Sequence, residues 1–367
     1  MAKRIIVIDS ADPIARENRC FDPVNEYADC GYAINVRLAR EARRRGMDVA
    51  TADVYLSMPN RRDRAVCLTD MVTTLTDDVL AKGARPAVCK SLESPLFAKH
   101  FYHNIVRYAG RYHHNYQFRG TLERLANTGT VFHPIIFPTA TRVPLIPQSW
   151  AKRDYLIMVN SNKRAFSHRR GNLKEIARST LSRAKFLAFK VIDPWMRIRE
   201  VYVDRIEAMF HFSAYTDFRV YGIGWDQGIP GFGAEYAEAA RQAWAGPLTY
   251  QRKREVMGGF KFALCFENCA FPGYVTEKIF DCWLAGCIPI YLGAPDIAEF
   301  VPEHSYVDFR HFANYADLDR FLHGMTEPEA DGYLSAAQEF LASTGFDKCT
   351  VDYFVNDLVN VLEQELE

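Results

Sequence analysis

The sequence predicts an α/β protein built as two Rossmann-like halves facing each other across a cleft. Three observations predict it. Short apolar runs alternate with stretches of helical apolar spacing near the start of the chain and again past residue 150. The 367 residues exceed the usual size of a single core. Between the two series, Pro138, Pro144 and Pro147 punctuate a polar stretch that reads as an inter-domain hinge. The expected organisation is an N-terminal domain over 1–148, a second domain over 149–347, and a C-terminal helix over 348–367.

Residues 3–8 read as a buried strand ending at Asp9-Ser10. After a polar loop, Ile34, Leu38 and Ala42 recur at helical spacing, and Arg43-Arg44-Arg45 followed by Gly46 close that helix. The three arginines could seat a phosphate, but a basic last turn that complements the helix dipole is the simpler reading. Residues 48–55 read as the next strand. In the second half, 155–159 is a strand, and 199–212 is a helix with Val203, Ile206 and Phe210 on one face. Residues 218–221 are a strand running into Gly222-Ile223-Gly224. Residues 260–266 form a strand, 275–285 a helix and 288–292 a strand. Val351, Phe354, Leu358 and Leu362 make one stripe on the final helix.

Composition removes several function classes. Lysine plus arginine equals aspartate plus glutamate at 45 each, so no global field draws the chain to nucleic acid. The first apolar run is four residues long, too short for a signal-peptide core, and no later run reaches the roughly 18 residues of a membrane helix. The nine cysteines include no CxxC pair, and the spacing of Cys265 and Cys269 suits no common zinc site. Reduced thiols in a cytoplasmic protein are the expectation. Adjacent histidines diverge on a strand or a helix, so His113-His114 is not expected to form a joint metal site.

The most informative segment begins where the strand 260–266 delivers Glu267 and Asn268 at its carboxyl end, the edge at which open parallel sheets bind ligands. Pro272-Gly273-Tyr274 then turns the chain, and Val275-Thr276-Glu277-Lys278 starts a helix. Backbone N–H groups at a helix start, the positive end of the dipole and the charge of Lys278 together make a seat for a diphosphate. The next strand ends in Gly293-Ala294-Pro295 at the same sheet edge.

The run 262–293 resembles the donor motif of the α1,3/4-fucosyltransferases, glycosyltransferase family 10 with the GT-B fold. That motif is F-x-L-x-F-E-N, then Y-(V/I)-T-E-K, then A-G-x-(I/V)-P-(I/V). Here it stands as 262–268, 274–278 and 285–290, with Cys269 where the family has Ser or Thr. Weaker similarity extends over about 155–312. Asn160-Ser161-Asn162 is similar to the family's strand with a Ser/Asn turn, Arg199-Glu200-Val201-Tyr202 to its Arg-x-x-aromatic helix start, and Tyr221-Gly222-Ile223-Gly224 to its strand and glycine turn. Arg197 competes with Arg199 in that alignment. In the first domain, Glu93-Ser94-Pro95 resembles the family's Glu-Ser-Pro stretch.

The resemblance implies an inverting transferase that moves L-fucose from GDP-fucose to a glycan hydroxyl. Glu93 is the implied general base, and Arg199 and Lys278 stabilise the departing diphosphate. The implied donor-binding residues are Ser161, Asn162, Arg199, Tyr221, Glu267, Asn268, Tyr274, Val275, Thr276, Glu277 and Lys278. No metal and no cofactor beyond the donor substrate is implied. The implied partner is an oligosaccharide or glycolipid acceptor, such as lipopolysaccharide, met in the cytoplasm at the inner membrane face. Another GDP-deoxyhexose donor, or a glycan- or nucleotide-binding relative without transfer activity, are the alternatives. The oligomeric state is left open.

Overall fold

The computed structural model describes residues 3–27, 30–59, 64–140, 143–163, 195, 198–229 and 231–367. It divides into two compact units, one of Met1–Thr141 with Asp347–Glu367, the other of Arg142–Phe346.

The first unit is a six-stranded parallel sheet. Its strands are β1 (Arg4–Ser10), β2 (Asp48–Thr51), β3 (Arg64–Asp70), β4 (Arg85–Lys90), β5 (His114–Gln117) and β6 (Val131–Pro134), in the order β2-β1-β3-β4-β5-β6. A sheet covered on both faces needs continuously apolar strands, and Ile5, Ile6, Val7 and Ile8 are all buried. The helix Cys30–Arg44 ends before Gly46, whose φ of 73° is the left-handed turn that glycine accepts most easily. The three arginines act structurally. Arg44 and Arg45 each reach Glu41 at 2.7 Å, Arg45 also meets Glu363 at 3.2 Å, and the Arg43 guanidinium lies over the Phe21 ring.

Two expectations change here. The strand expected over 48–55 stops at Thr51 and gives way to the helix Ala52–Ser57. Thr51 stands at the N-cap position with extended backbone, its hydroxyl donating to Asp53 at 2.6 Å in the first turn, where the apolar pattern alone suggested a longer strand. The last helix, Val351–Leu366, is part of the first unit rather than a segment apart. Thr139 and residues 349–351 exchange backbone hydrogen bonds, Arg37 pairs with Asp352, and the expected stripe of Val351, Phe354, Leu358 and Leu362 is buried.

The second unit carries β7 (Asp154–Val159), β8 (Arg199–Glu200), β9 (Phe218–Tyr221), β10 (Phe260–Phe266), β11 (Cys269–Ala270), β12 (Ile288–Leu292) and β13 (Val307–Asp308). Five form a parallel sheet in the order β13-β12-β10-β7-β9, and β8 pairs antiparallel with β11. From β7 the chain goes first to one side, at β9, and then to the other, at β10. The order therefore reverses between β7 and β10, and their carboxyl ends flank the crevice where such sheets bind ligands. The eight described cysteines other than Cys30 are unbridged and buried. Among the described residues, no helix is long and apolar enough to cross a membrane.

Candidate functional site

In the second unit, β10 ends at Phe266 and hands Glu267 to the switch point. The Glu267 N–H donates to Leu292 O at 2.8 Å, which extends the ladder by one residue and buries the side chain completely. A buried carboxylate must be paired, and Glu267 is paired by its own downstream sequence. It accepts the Thr276 N–H and hydroxyl at 2.8 Å, and the Lys278 ammonium at 3.0 Å. Thr276 is the N-cap of the helix Glu277–Ala285, so Glu267 lies at the positive end of that helix. The helix starts two residues later than the sequence suggested, and part of its anion-binding capacity is taken internally. Gly293 completes the arrangement, since a Cβ there would lie 2.5 Å from the Glu267 side chain.

Lys278 is correspondingly anchored. Two of its three N–H donors face Glu267 Oε2 and Thr276 Oγ1, and Glu277 Oε1 lies 3.7 Å away. Burial pushes the Glu277 carboxyl up, but the charges of Lys278 and Lys253 outweigh it and hold Glu277 below the ordinary glutamate range. Lys253 donates to Asp281, one turn further along the same helix, at 2.6 Å. Burial holds the Asp281 carboxyl above its usual range, with Lys253 opposing. The sequence reading did not find Lys253 and Asp281. A carboxylate four residues after Glu277 on one helix face was the available signal.

Beneath the site runs a buried polar brace. Arg205 donates to Phe266 O at 2.6 and 3.0 Å and to Asn268 Oδ1 at 3.0 Å, while Asn268 Nδ2 donates to the Tyr274 hydroxyl at 3.1 Å. Asn268, Tyr274 and Val275 are thus buried, with the polar groups of the first two directed at one another. Arg205 also escaped the sequence reading, because the expected helix face was misplaced. The helix Tyr202–Phe212 buries Tyr202, Arg205, Ile206, Ala208, Met209 and Phe212, whereas Phe210 is exposed and stacks on Tyr236.

Arg199 is not on a helix, as its Arg-x-x-aromatic setting suggested. Residues 199–200 pair with 269–270 directly after Asn268, which takes their backbone out of the helix and brings Arg199 to the end of β10. Its guanidinium is half-exposed and donates to Asp204 Oδ1 at 2.6 Å. Arg197 lies outside the described residues.

At the end of β7, the Asn162 amide donates to Gly224 O and Gly228 O at 2.9 Å, and its N–H donates to Ile223 O, so it folds the glycine loop after Tyr221. Gly222 has φ 135°, and a Cβ there would lie 2.2 Å from Asn160 O. Ser161 is exposed and Tyr221 partly so. Asn160 Nδ2 and Asn162 Oδ1 are buried without a hydrogen-bond partner among the described residues.

In the first unit, Glu93 follows the carboxyl end of β4, half-buried between buried Ser91 and Ser94, and its carbonyl accepts the Tyr102 hydroxyl at 2.9 Å. The same edge carries a buried Lys90 paired with Asp70 at 2.6 Å. It also carries Asp9, which accepts from the Thr73 and Thr76 hydroxyls and whose carboxyl burial raises above the usual range. None of Asp9, Asp70 and Lys90 was found from the sequence.

Comparison with known proteins concentrates on the second unit. Residues 199–335 match the family model for glycosyltransferase family 10 (fucosyltransferase), C-terminal part. The alpha-(1,3)-fucosyltransferase FucT of Helicobacter pylori is 42% identical over 76 residues, 20% of this chain and 16% of that protein. An alpha-(1,4)-fucosyltransferase of Arabidopsis thaliana is 36% identical over 87 residues, 24% of this chain and 22% of its own. The chain thus spans between about a sixth and a quarter of the length of these relatives. Among solved structures, an alpha1,3-fucosyltransferase superposes with TM-score 0.51 at 15% identity, covering 99% of this chain and 90% of the other. HepE of Anabaena in complex with UDP superposes at 0.55 and 11%, covering 98% and 100%. At such identities these likenesses speak for the fold, two Rossmann-like units of the GT-B kind.

Proposed function

We propose that this chain, whose residues 199–335 carry the C-terminal domain of glycosyltransferase family 10, moves L-fucose from GDP-fucose to a glycan hydroxyl. One observation carries the reading. The segment from Glu267 to Lys278 lies inside the matched stretch and at the reversal of strand order, with Glu267, Thr276 and Lys278 locked together at a helix start.

In this reading the second unit holds the donor. Around Lys278, the three carboxylates of Glu267, Glu277 and Asp281 stand against the two ammonium groups of Lys253 and Lys278. That cluster has no surplus positive charge, so half-exposed Arg199, with five N–H donors in a rigid fork, takes the larger share of the diphosphate. Lys278 contributes its third N–H. Glu277, ionised and partly exposed, accepts from hydroxyls of the ribose or the sugar. Ser161, Asn162 and Tyr221 line the nucleotide side, where Asn160 Nδ2 and Asn162 Oδ1, without a partner among the described residues, offer one donor and one acceptor. Asn268, Tyr274 and Val275 hold the shape of the site from below.

The first unit holds the acceptor, and Glu93 is the base. As its carboxylate takes the proton, the acceptor oxygen attacks the anomeric carbon and the bond from that carbon to the β-phosphate oxygen breaks. GDP leaves with the electron pair, and the configuration inverts in a single displacement through an oxocarbenium-like state. The leaving-group charge is met by Arg199, Lys278 and the helix dipole, so no metal ion is needed for this step. The acceptor class is an oligosaccharide or glycolipid such as lipopolysaccharide, met in the cytoplasm at the inner membrane face.

The test is a thermal-shift and calorimetric comparison of GDP, UDP, CMP and ADP, followed by GDP-fucose against GDP-mannose. Selective binding of GDP and turnover of GDP-fucose is the expected outcome. GDP selectivity with another GDP-deoxyhexose turned over would replace the donor sugar. No response to any guanine nucleotide would overturn the transferase reading.

A further inference from the structure

We propose that the first unit carries a divalent transition-metal site formed by His113, His114 and Glu365, with His133 as its positioning residue. The expectation that adjacent histidines diverge applies when both lie within one regular element. Here β5 begins only at His114, while the His113 N–H donates to Pro86 O at 3.2 Å before the strand starts. The two ring centroids lie 4.5 Å apart, and both rings approach Glu365 Oε1 of the last helix. One donor atom from each of the three residues falls within 4.8 Å of the others.

The distances suit a small ion with imidazole and carboxylate ligands. Bonds of about 2.0–2.1 Å in tetrahedral geometry put neighbouring donor atoms roughly 3.3–3.4 Å apart. His114 Nε2 and Glu365 Oε1 are already 3.4 Å apart. His113 Nδ1 lies 2.5 Å from the same oxygen, and its ring is 58% exposed, so a small rotation opens that edge to the required length. His114 and Glu365 are largely buried and define the fixed part of the site.

The second nitrogen of His114 is also committed. His114 Nδ1 lies 3.0 Å from His133 Nε2, so in the tautomer protonated at Nδ1 that proton goes to His133 and the Nε2 lone pair is left for the site. This is the arrangement that orients metal-binding histidines. His133 is itself held by the Tyr116 ring, stacked at 4.2 Å, with Asp357 Oδ2 4.0 Å from its Nδ1 and Tyr116 donating to the same oxygen at 2.7 Å. Two imidazoles and one carboxylate suit Zn²⁺, Co²⁺, Ni²⁺ or Cu²⁺ rather than Mg²⁺ or Ca²⁺. The site lies at the amino end of β5, whereas Glu93 follows the carboxyl end of β4. It therefore occupies the opposite edge of the sheet, where an ion would tie the last helix to β5.

The probe is Co²⁺, added to the full chain after chelation and dialysis, and followed by calorimetry and absorption. The expected result is one equivalent bound, with visible ligand-field bands, no near-ultraviolet thiolate band, displacement by Zn²⁺ and a raised Tm. The absence of the thiolate band separates this site from the nine cysteines. His114→Ala and Glu365→Gln abolish binding. The exposed His113→Ala, which leaves the core untouched, weakens it. His133→Ala weakens it about 10- to 100-fold, and His133→Gln, which retains an acceptor for the His114 proton, restores part of that loss. Absence of saturable binding, a thiolate-dominated spectrum, or unchanged affinity in His113→Ala would overturn the proposal.

Discussion

The carboxyl edges of the two sheets solve the same problem over different sequence distances. Each places buried charge where a parallel sheet opens to a ligand, and each must pair that charge. In the second unit Glu267 is satisfied by Thr276 and Lys278, nine and eleven residues away. In the first, Lys90 finds Asp70 twenty residues away, and Asp9 finds Thr73 and Thr76 at 64 and 67. A site whose partners are local appears in the sequence as a motif. One whose partners come from other strands appears as isolated polar residues.

The largest expected effect tests whether the two edges divide the chemistry as proposed. Glu93→Gln should lower the transfer rate by about 10²- to 10⁴-fold, the usual worth of a general base, while GDP binding measured by calorimetry stays unchanged. Lost GDP affinity would instead assign Glu93 to the donor, and the division of labour between the edges would fall.

Next comes the stability of the locally paired edge. Glu267→Ala removes the acceptor of Thr276 and leaves Lys278 without its closest carboxylate partner, so it should cost about 3–5 kcal/mol in chemical unfolding. The fully buried position of Glu267 is the reason for that size. A cost below about 1 kcal/mol would show that the cluster of Glu267, Thr276 and Lys278 does not hold this edge together.

The smallest effect contrasts the two edges by pH. The Glu277 carboxyl is held below its ordinary 4.5, so its contribution to stability is complete above that pH and is lost as pH falls through the lower folded value. Asp9 is the reverse. Its carboxyl is raised above 3.8, so its burial cost applies at neutral pH and is relieved as pH falls through the raised folded value. Measured between pH 3 and 7, the stability difference between wild type and Glu277→Gln should shrink on acidification. Wild type should gain relative to Asp9→Asn over the same range. Equal slopes in the two series would remove the contrast.

The same distinction between local and distant partners explains what was legible. The strands 218–221, 260–266 and 288–292 were read to the residue, because uninterrupted apolar runs bounded by turns leave few alternatives. The helix at 202–212 was read a few residues too long, since nothing local signals that 199–200 pair with 269–270. Its buried face was misread because Arg205 sits in the apolar stripe. A charged residue there is tolerated only because Phe266 O and Asn268 are in place to receive it. Adjacent histidines are expected to diverge, and the local pattern of His113-His114 says nothing of Glu365, which lies about 250 residues later in the chain.

By itself the sequence determined the alternation of strands and helices, and the constellation from Glu267 to Lys278. Both depend on periodicity and on partners within one or two turns, which a linear pattern records. The tertiary structure alone decided that Arg199 leaves the helix to meet the end of β10, that Arg205 braces Asn268, that Lys90 pairs with Asp70, and that the last helix brings Glu365 to His113 and His114. These contacts form when strand order and helix docking bring together residues far apart in sequence, and hydrophobic periodicity carries no information about which polar groups will then face each other.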